Sequence, residues 1–307
     1  METFSSIECF VRSAEVGSFA EAARRLSLTP AAVGKSVAKL EARLGVRLFQ
    51  RSTRSLRLTE AGQLFLAEVS ASLHTIQNAV ANLASAEGRP AGTLKVSMGT
   101  VFGRLYIVPL LGEFLRRFPA INPDWHFDNR QVDLIGQGFD AAIGGGFELP
   151  QGVVARKLTP AHRVLVASAE YLARNPAVLE PDDLKQHDGI LIRSPQTGRV
   201  RSWQLTSRDQ QHSPLSLRAR MTMSDSEAAC ATAAQGLGIA LVSMPFALGY
   251  LQAGTLQRVL ADWYVDDGNI SIYYAEHKLL PGKTRAFVDF IIEQFAEQGL
   301  AQRFSAV

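Results

Sequence analysis

Only two cysteines, Cys9 and Cys230, occur in 307 residues, so no disulfide framework braces this chain and its composition fits a reducing compartment. Six histidines (His74, His126, His162, His187, His212 and His277) are scattered without the spacing of a metal site. CxxC, HExxH, GxSxG and Walker loops are missing, and with them the motif-borne metal, hydrolase and nucleotide chemistries, so no cofactor is expected. The glycine-rich "GQGFDAAIGGG" precedes and ends a strand instead of opening a helix, which a dinucleotide fingerprint would require. Long hydrophobic runs are lacking too. The longest, "GIALVSMPFALGYL", has fourteen residues and includes glycines and a proline, too short to span a bilayer. The opening "METFSSIECF" carries acids and no basic n-region, unlike a signal peptide. The expectation is a soluble, cytoplasmic protein that neither spans nor docks on a membrane.

What is present is a long chain, 47% hydrophobic, able to bury two or three domain cores. Its net charge of +3 is unevenly placed: residues 1–60 hold ten Lys/Arg against six Asp/Glu, and the remainder holds 22 against 23. A basic excess confined to one end points to a module that binds a polyanion.

That end parses into three helices. Phe4, Ile7, Phe10, Val11 and Ala14 repeat at helical spacing before Gly17. "SFAE" is a capping box, with the Ser18 hydroxyl facing the Glu21 amide. Thr29-Pro30 restarts the chain as N-cap and N1. In the third helix Val33, Val37, Leu40 and Leu44 share one face, while Ala31, Gly34, Lys35, Ala38 and Lys39 share the other. Two helices across a tight turn, the second small-sided and then basic, make a helix-turn-helix whose backbone can approach a groove while its lysines meet phosphates. "RLFQRSTRSLRLT" then alternates Phe49, Leu56 and Leu58 with polar residues around a turn, giving a hairpin wing with Arg51, Arg54 and Arg57 on or beside its tip. Ser18, Thr29, Pro30, Ala31, Gly34, Lys35, Lys39 and the three wing arginines are the candidate DNA-facing residues.

Leu66, Val69, Leu73, Ile76, Val80 and Leu83 follow at alternating intervals of three and four, a heptad seam that reads as a dimerisation helix. The alternative is a long amphipathic helix lying on its own core. "SAEGRPAG" ends it. From Thr93 strands and helices alternate over about two-thirds of the chain, which predicts an α/β region of mostly parallel sheets in two small lobes. "VVARKL" and "RVLVAS" read as separate strands.

The stretch "FAEAARRLSLTPAAVGKSVAKLEARLGVRLFQRSTRSLRLTEAG" resembles the N-terminal signature of LysR-type transcriptional regulators, through "AA..L..T..AV", "LE..LG..LF.R" and "R...LT.AG". "GTLKVS", "FDAAI", "ASAEYLARNP", "AAQGLGIALVSMPF" and "GTLQRVL" follow in that family's order. The resemblance covers essentially the whole chain. It implies a winged helix-turn-helix over 1–59, a dimerisation helix and hinge over 60–91, and a two-lobed sensor over 92–307, similar to type 2 periplasmic binding proteins. Lobe I would hold 92–161 plus 267–307, and lobe II 162–266. The implied protein is a homodimer or homotetramer on operator DNA, responding to a small-molecule effector in the interlobe cleft. Two departures stand out: Gly34 replaces a usual serine, and Gly144 replaces a usual arginine.

In such lobes ligands meet strand carboxyl ends and helix N-termini. Thr100, Phe102, Gly145, Phe147, Arg193, Ser194, Arg201, Trp203, Ser224, Asp225, Ser243 and Pro245 lie at such positions, a set suited to a small organic anion. Plainer readings stand beside these: Asp225 as an N-cap, Pro245 as a helix N1, Trp203 as core. Two other functions remain open on sequence. One is an architectural DNA-binding oligomer with no ligand response; the other is a two-lobed enzyme with a basic arm, for which no nucleophile or acid–base pair is evident.

Overall fold

The computed structural model describes residues 2–51, 56–84, 90–146, 152–276 and 280–307. Arg54 and Phe147 fall outside them, as do the side chains of Arg51, Val80 and Leu83. The chain divides into two compact units: residues up to Gly92 with Asp133–Phe139, and Thr93–Val132 with Asp140–Val307.

The first unit opens with α1 (Glu2–Val16), α2 (Phe19–Leu26) and α3 (Pro30–Leu44). Ser18 Oγ accepts from the Glu21 amide at 3.3 Å and Thr29 Oγ1 from the Ala32 amide at 3.2 Å, so both expected caps form. Gly45, at φ 72°, turns the chain out of α3. The hairpin pairs β1 (Phe49–Arg51) antiparallel with β2 (Leu56–Leu58), and α4 (Glu60–Ala84) follows. Phe10 centres the core, its ring 5.4 Å from both Phe49 and Phe65, with Val33, Val37 and Leu40 of α3 packed around it. Leu44, which the spacing groups with those three, is the last residue of α3 and is exposed.

In the second unit the strands run β10-β7-β11-β6-β13-β5-β3-β4, where β3 is Gly92–Met98, β4 Ile121–Phe127, β5 Ala141–Gly145 and β6 Val153–Ala167. The others are β7 (Asp188–Ile192), β8 (Gln204–Ser207), β9 (His212–Pro214), β10 (Arg218–Met223), β11 (Ile239–Ser243), β12 (Gln257–Val259) and β13 (Trp263–Ala275). Its helices are α5 (Thr100–Phe102), running on through further helical turns to α6 (Leu111–Arg117), then α7 (Ala169–Arg174), α8 (Ser226–Ala234), α9 (Met244–Gln252), α10 (Gly282–Glu297) and α11 (Leu300–Arg303).

Pairing is parallel within β10-β7-β11 and within β3-β5, but β6 and β13 are antiparallel to each other and to β11 and β5 respectively. The expected mostly parallel sheets are thus two parallel halves joined by a long antiparallel pair that runs through both lobes. Nor does β6 break at Pro160. The proline lies opposite Asn269 beside a register shift, where its missing N–H leaves the ladder intact on either side.

Lobe I packs β3 and β5 against α6 and α10, with Phe114 5.6 Å from Phe287 and 5.3 Å from Phe290. Lobe II has a core on each sheet face. Val164 and Val166 of β6 enter one, Leu165 and Ala167 the other, as strand alternation requires. At the base of lobe I, Asp140 accepts from Lys283 Nζ at 2.7 Å and from the Lys95 amide at 2.9 Å. Lys283 also donates to the Thr93 carbonyl.

Candidate functional site

The N-terminal half of α3 is bare. Thr29, Pro30, Ala31 and Ala32 are exposed, Lys35 and Lys39 are exposed one and two turns on, and a Cβ at Gly34 would meet nothing within 4 Å. The apolar side of the same helix is locked into the core, so the small side faces outward by packing as well as by sequence. Arg57 is exposed on the wing, which the β1–β2 pairing forms as expected.

In the second unit the expected ligand residues separate into frame and rim. Phe102 is buried, its ring 5.2 Å from Tyr106 and 6.1 Å from Phe295. A Cβ at Gly145 would come within 2.2 Å of the Asn269 carbonyl, so this glycine admits the backbone of β13. Asp225 caps α8, accepting from the Ala228 amide at 2.8 Å, and buried Pro245 accepts from Tyr106 Oη at 2.6 Å. These residues hold the walls together. Thr100, Arg193, Arg201 and Ser224 are exposed, with Ser194, Ser243 and Trp203 half-buried. Contacts between the lobes include Tyr106 on Pro245 and Gln196 Nε2 donating to the Asn129 carbonyl at 3.1 Å. The Thr100 amide donates to Asn129 Oδ1 at 3.0 Å.

Residues 4–63 match the description "Bacterial regulatory helix-turn-helix protein, lysR family", and residues 87–296 match "LysR substrate binding domain". The chain belongs to the LysR family of transcriptional regulators. It is 32% identical to an HTH-type transcriptional regulator of Xanthomonas campestris over 92% of this chain and 83% of that protein. An HTH-type transcriptional repressor of Pseudomonas aeruginosa is also 32% identical, over 97% and 93% of the two chains. Among solved structures, the full-length Vibrio cholerae virulence activator AphB superposes with a TM-score of 0.60 at 26% identity, covering 94% of this chain and 98% of that one. The unit with the bare helix is therefore the DNA-binding module of a ligand-responsive regulator, not the arm of an enzyme.

Within this LysR-type chain the structure explains two motif residues to which the sequence reading attached no role. Glu41 is buried, and its Oε1 accepts from the Leu48 amide at 2.8 Å and the Phe49 amide at 3.1 Å, while Arg47 reaches Oε2 at 3.3 Å. One carboxylate thereby fixes the chain where it leaves α3 for the wing. Gly62 is the second: a Cβ there would lie 2.1 Å from the Leu48 carbonyl. Thr59 completes the joint, its hydroxyl donating to the Arg47 carbonyl at 2.7 Å and accepting from the Gly62 amide at 2.9 Å.

The heptad seam is divided. Leu73 is buried in the first unit's own core, with Leu66 and Val69 packed against it, whereas Ile76 is 47% exposed. Among the described residues no helix is long and apolar enough to cross a membrane, and no group of three or more His, Cys, Asp or Glu could hold a metal ion. Burial pushes the Cys230 thiol up to about 12, so it remains a protonated core residue.

Proposed function

We propose that this regulator binds a pseudo-palindromic operator as a homodimer. Residues Thr29 to Lys39 of α3 lie in the major groove, and the β1–β2 wing with Arg51, Arg54 and Arg57 lies against the adjacent backbone. The observation that carries this reading is the exposed, small-sided first half of α3, which lets the helix backbone approach base edges while Lys35 and Lys39 meet phosphates. Ser18, the N-cap of α2, joins these residues on the DNA in this reading. The dimer pairs along α4 around Ile76, with Val80 and Leu83 continuing the seam, and two dimers form the tetramer.

In this reading residues 1–59 read DNA, 60–91 link and dimerise, and 92–307 sense, with lobes at 92–161 plus 267–307 and at 162–266. The effector is a small organic anion entering between the lobes, met by Thr100, Arg193, Ser194, Arg201, Ser224 and Ser243 and framed by Phe102, Gly145, Phe147, Trp203, Asp225 and Pro245. The site of action is the cytoplasm.

Fluorescence anisotropy on the chain's own upstream intergenic DNA, across several salt concentrations, tests both halves. Specific binding with a steep negative log–log salt slope is expected, and one member of a panel of aromatic and aliphatic acids should shift it. No preference over scrambled DNA would overturn the operator reading. Specific binding that no acid shifts would overturn the organic-anion reading and favour an architectural role.

A further inference from the structure

One cluster in the second unit joins residues from four segments. Asp267 of β13 accepts from Arg163 Nε and Nη2, both at 2.9 Å, through Oδ2, and from Arg201 Nη1 at 3.1 Å through Oδ1. The Arg163 guanidinium carbon lies 4.6 Å from the Trp203 ring centroid and that of Arg201 4.3 Å from it. Gly146, just beyond β5, leaves room for the acid: a Cβ there would lie 2.9 Å from Asp267 Oδ2. Arg163 comes from β6, so the cluster ties both lobe-crossing strands to the loop after β7. That same loop carries Gln196, which bridges to lobe I.

Two guanidinium groups share one carboxylate, leaving one positive charge in surplus. The acid is shut in, with its side chain 6% exposed, while Arg201 is 56% exposed and has N–H groups beyond the one Asp267 uses. Trp203 organises the two cations instead of offering a ligand wall.

We propose that Asp267 limits how strongly this regulator holds a second carboxylate on its effector: the Arg201 edge takes one carboxylate, and Asp267 cancels one of the two guanidinium charges that a dianion would otherwise use. This rests on the reading that the effector is an organic anion entering between the lobes. Arg201 is then a ligand-contacting residue, and Arg163, Trp203 and Asp267 are positioning residues. Neutralising Asp267 raises the surplus to two and removes a like charge beside the bound anion, which helps a dianion more than a monoanion.

The test uses the full chain and the matched probes benzoate and phthalate, with binding followed by calorimetry. Wild type should bind benzoate through Arg201. Asp267→Asn should shift the phthalate-to-benzoate preference by about tenfold or more toward phthalate. Arg201→Gln, in either background, should weaken both acids. An unchanged ratio in Asp267→Asn, or no binding of either acid by any form, would each overturn the proposal. Should Asp267→Asn fail to fold by circular dichroism, Asp267→Ser carries the same ratio test and Arg201→Gln still stands. An acid other than these that shifts operator binding, with benzoate and phthalate inert, would sink the charge rule while leaving the organic-anion reading in place.

Discussion

Asp140 and Asp267 are both shut away from water, with side chains 1% and 6% exposed, and each is gripped by cations from distant parts of the chain. They differ in what holds them. Lys283, the partner of Asp140, is 3% exposed and also bound to the Thr93 carbonyl, while Asp140 also accepts from the Lys95 amide, so both members of the pair are engaged from more than one side. Arg201, which holds Asp267 from the outside, is 56% exposed and can take another partner without breaking the lobe. A buried pair with no outlet serves the fold, whereas a buried acid with an open cation is placed to be read by something from solvent. Glycines divide in the same way. Gly62 is closed against the Leu48 carbonyl, and Gly34 has nothing near it.

The comparison predicts a ranking of effects. Lys283→Met, which leaves the Asp140 carboxylate buried without its cation, should lower the stability of the second unit by about 3–5 kcal/mol. Denaturant unfolding followed by tryptophan emission checks it, since Trp125, Trp203 and Trp263 all lie in that unit. A loss below about 1 kcal/mol, the range of exposed pairs, would break the contrast with Arg201. Glu41→Ala comes next. It strands the Leu48 and Phe49 amides in the core, so a loss of about 1–3 kcal/mol is expected in the first unit. Operator binding should weaken with it, because the wing loses its anchor to α3. Full stability in this variant, measured by urea unfolding of the helical signal, would show that the amides find other partners.

How much of this was legible depends on distance along the chain. The caps at Ser18, Thr29 and Asp225 join a side chain to an amide three residues on, and such pairs can be read from spacing alone. The apolar face of α3 and the wing strands were readable for the same local reason. Glu41 reaches seven and eight residues forward across a change of direction, which helical periodicity does not encode. Asp267 finds Arg201 at a separation of 66 residues and Arg163 at 104, pairings created only when β6 and β13 align. The seam of α4 misleads in part because heptad spacing suits a partner helix and a chain's own core equally well. Leu73 took the core and Ile76 was left outside.

Gly34→Ala probes the open side of the comparison in the first unit. With empty space around the new methyl, the substitution should stabilise the module by about 1 kcal/mol through helix propensity alone. Operator affinity should nevertheless fall, since the methyl projects from the face assigned to the groove. A thermal melt and an anisotropy titration on one preparation separate the two effects. Unchanged affinity would mean that the bare surface at this turn does not approach DNA.

The smallest stability effect belongs to Arg201→Ala. Its ion pair is more than half exposed, so solvent screens it and the loss should stay within about 1 kcal/mol. Some of that loss is packing, because the guanidinium covers Trp203. Asp267 keeps its two bonds from Arg163, so the acid is not left without a cation and the penalty seen at Lys283 does not arise. The variant should melt close to wild type and show altered tryptophan emission as one cation leaves the Trp203 ring. A drop of several kcal/mol in urea unfolding would instead make Arg201 as structural as Lys283. The rim would then be a second closed joint between the lobes, and its surplus charge would be spent on the fold.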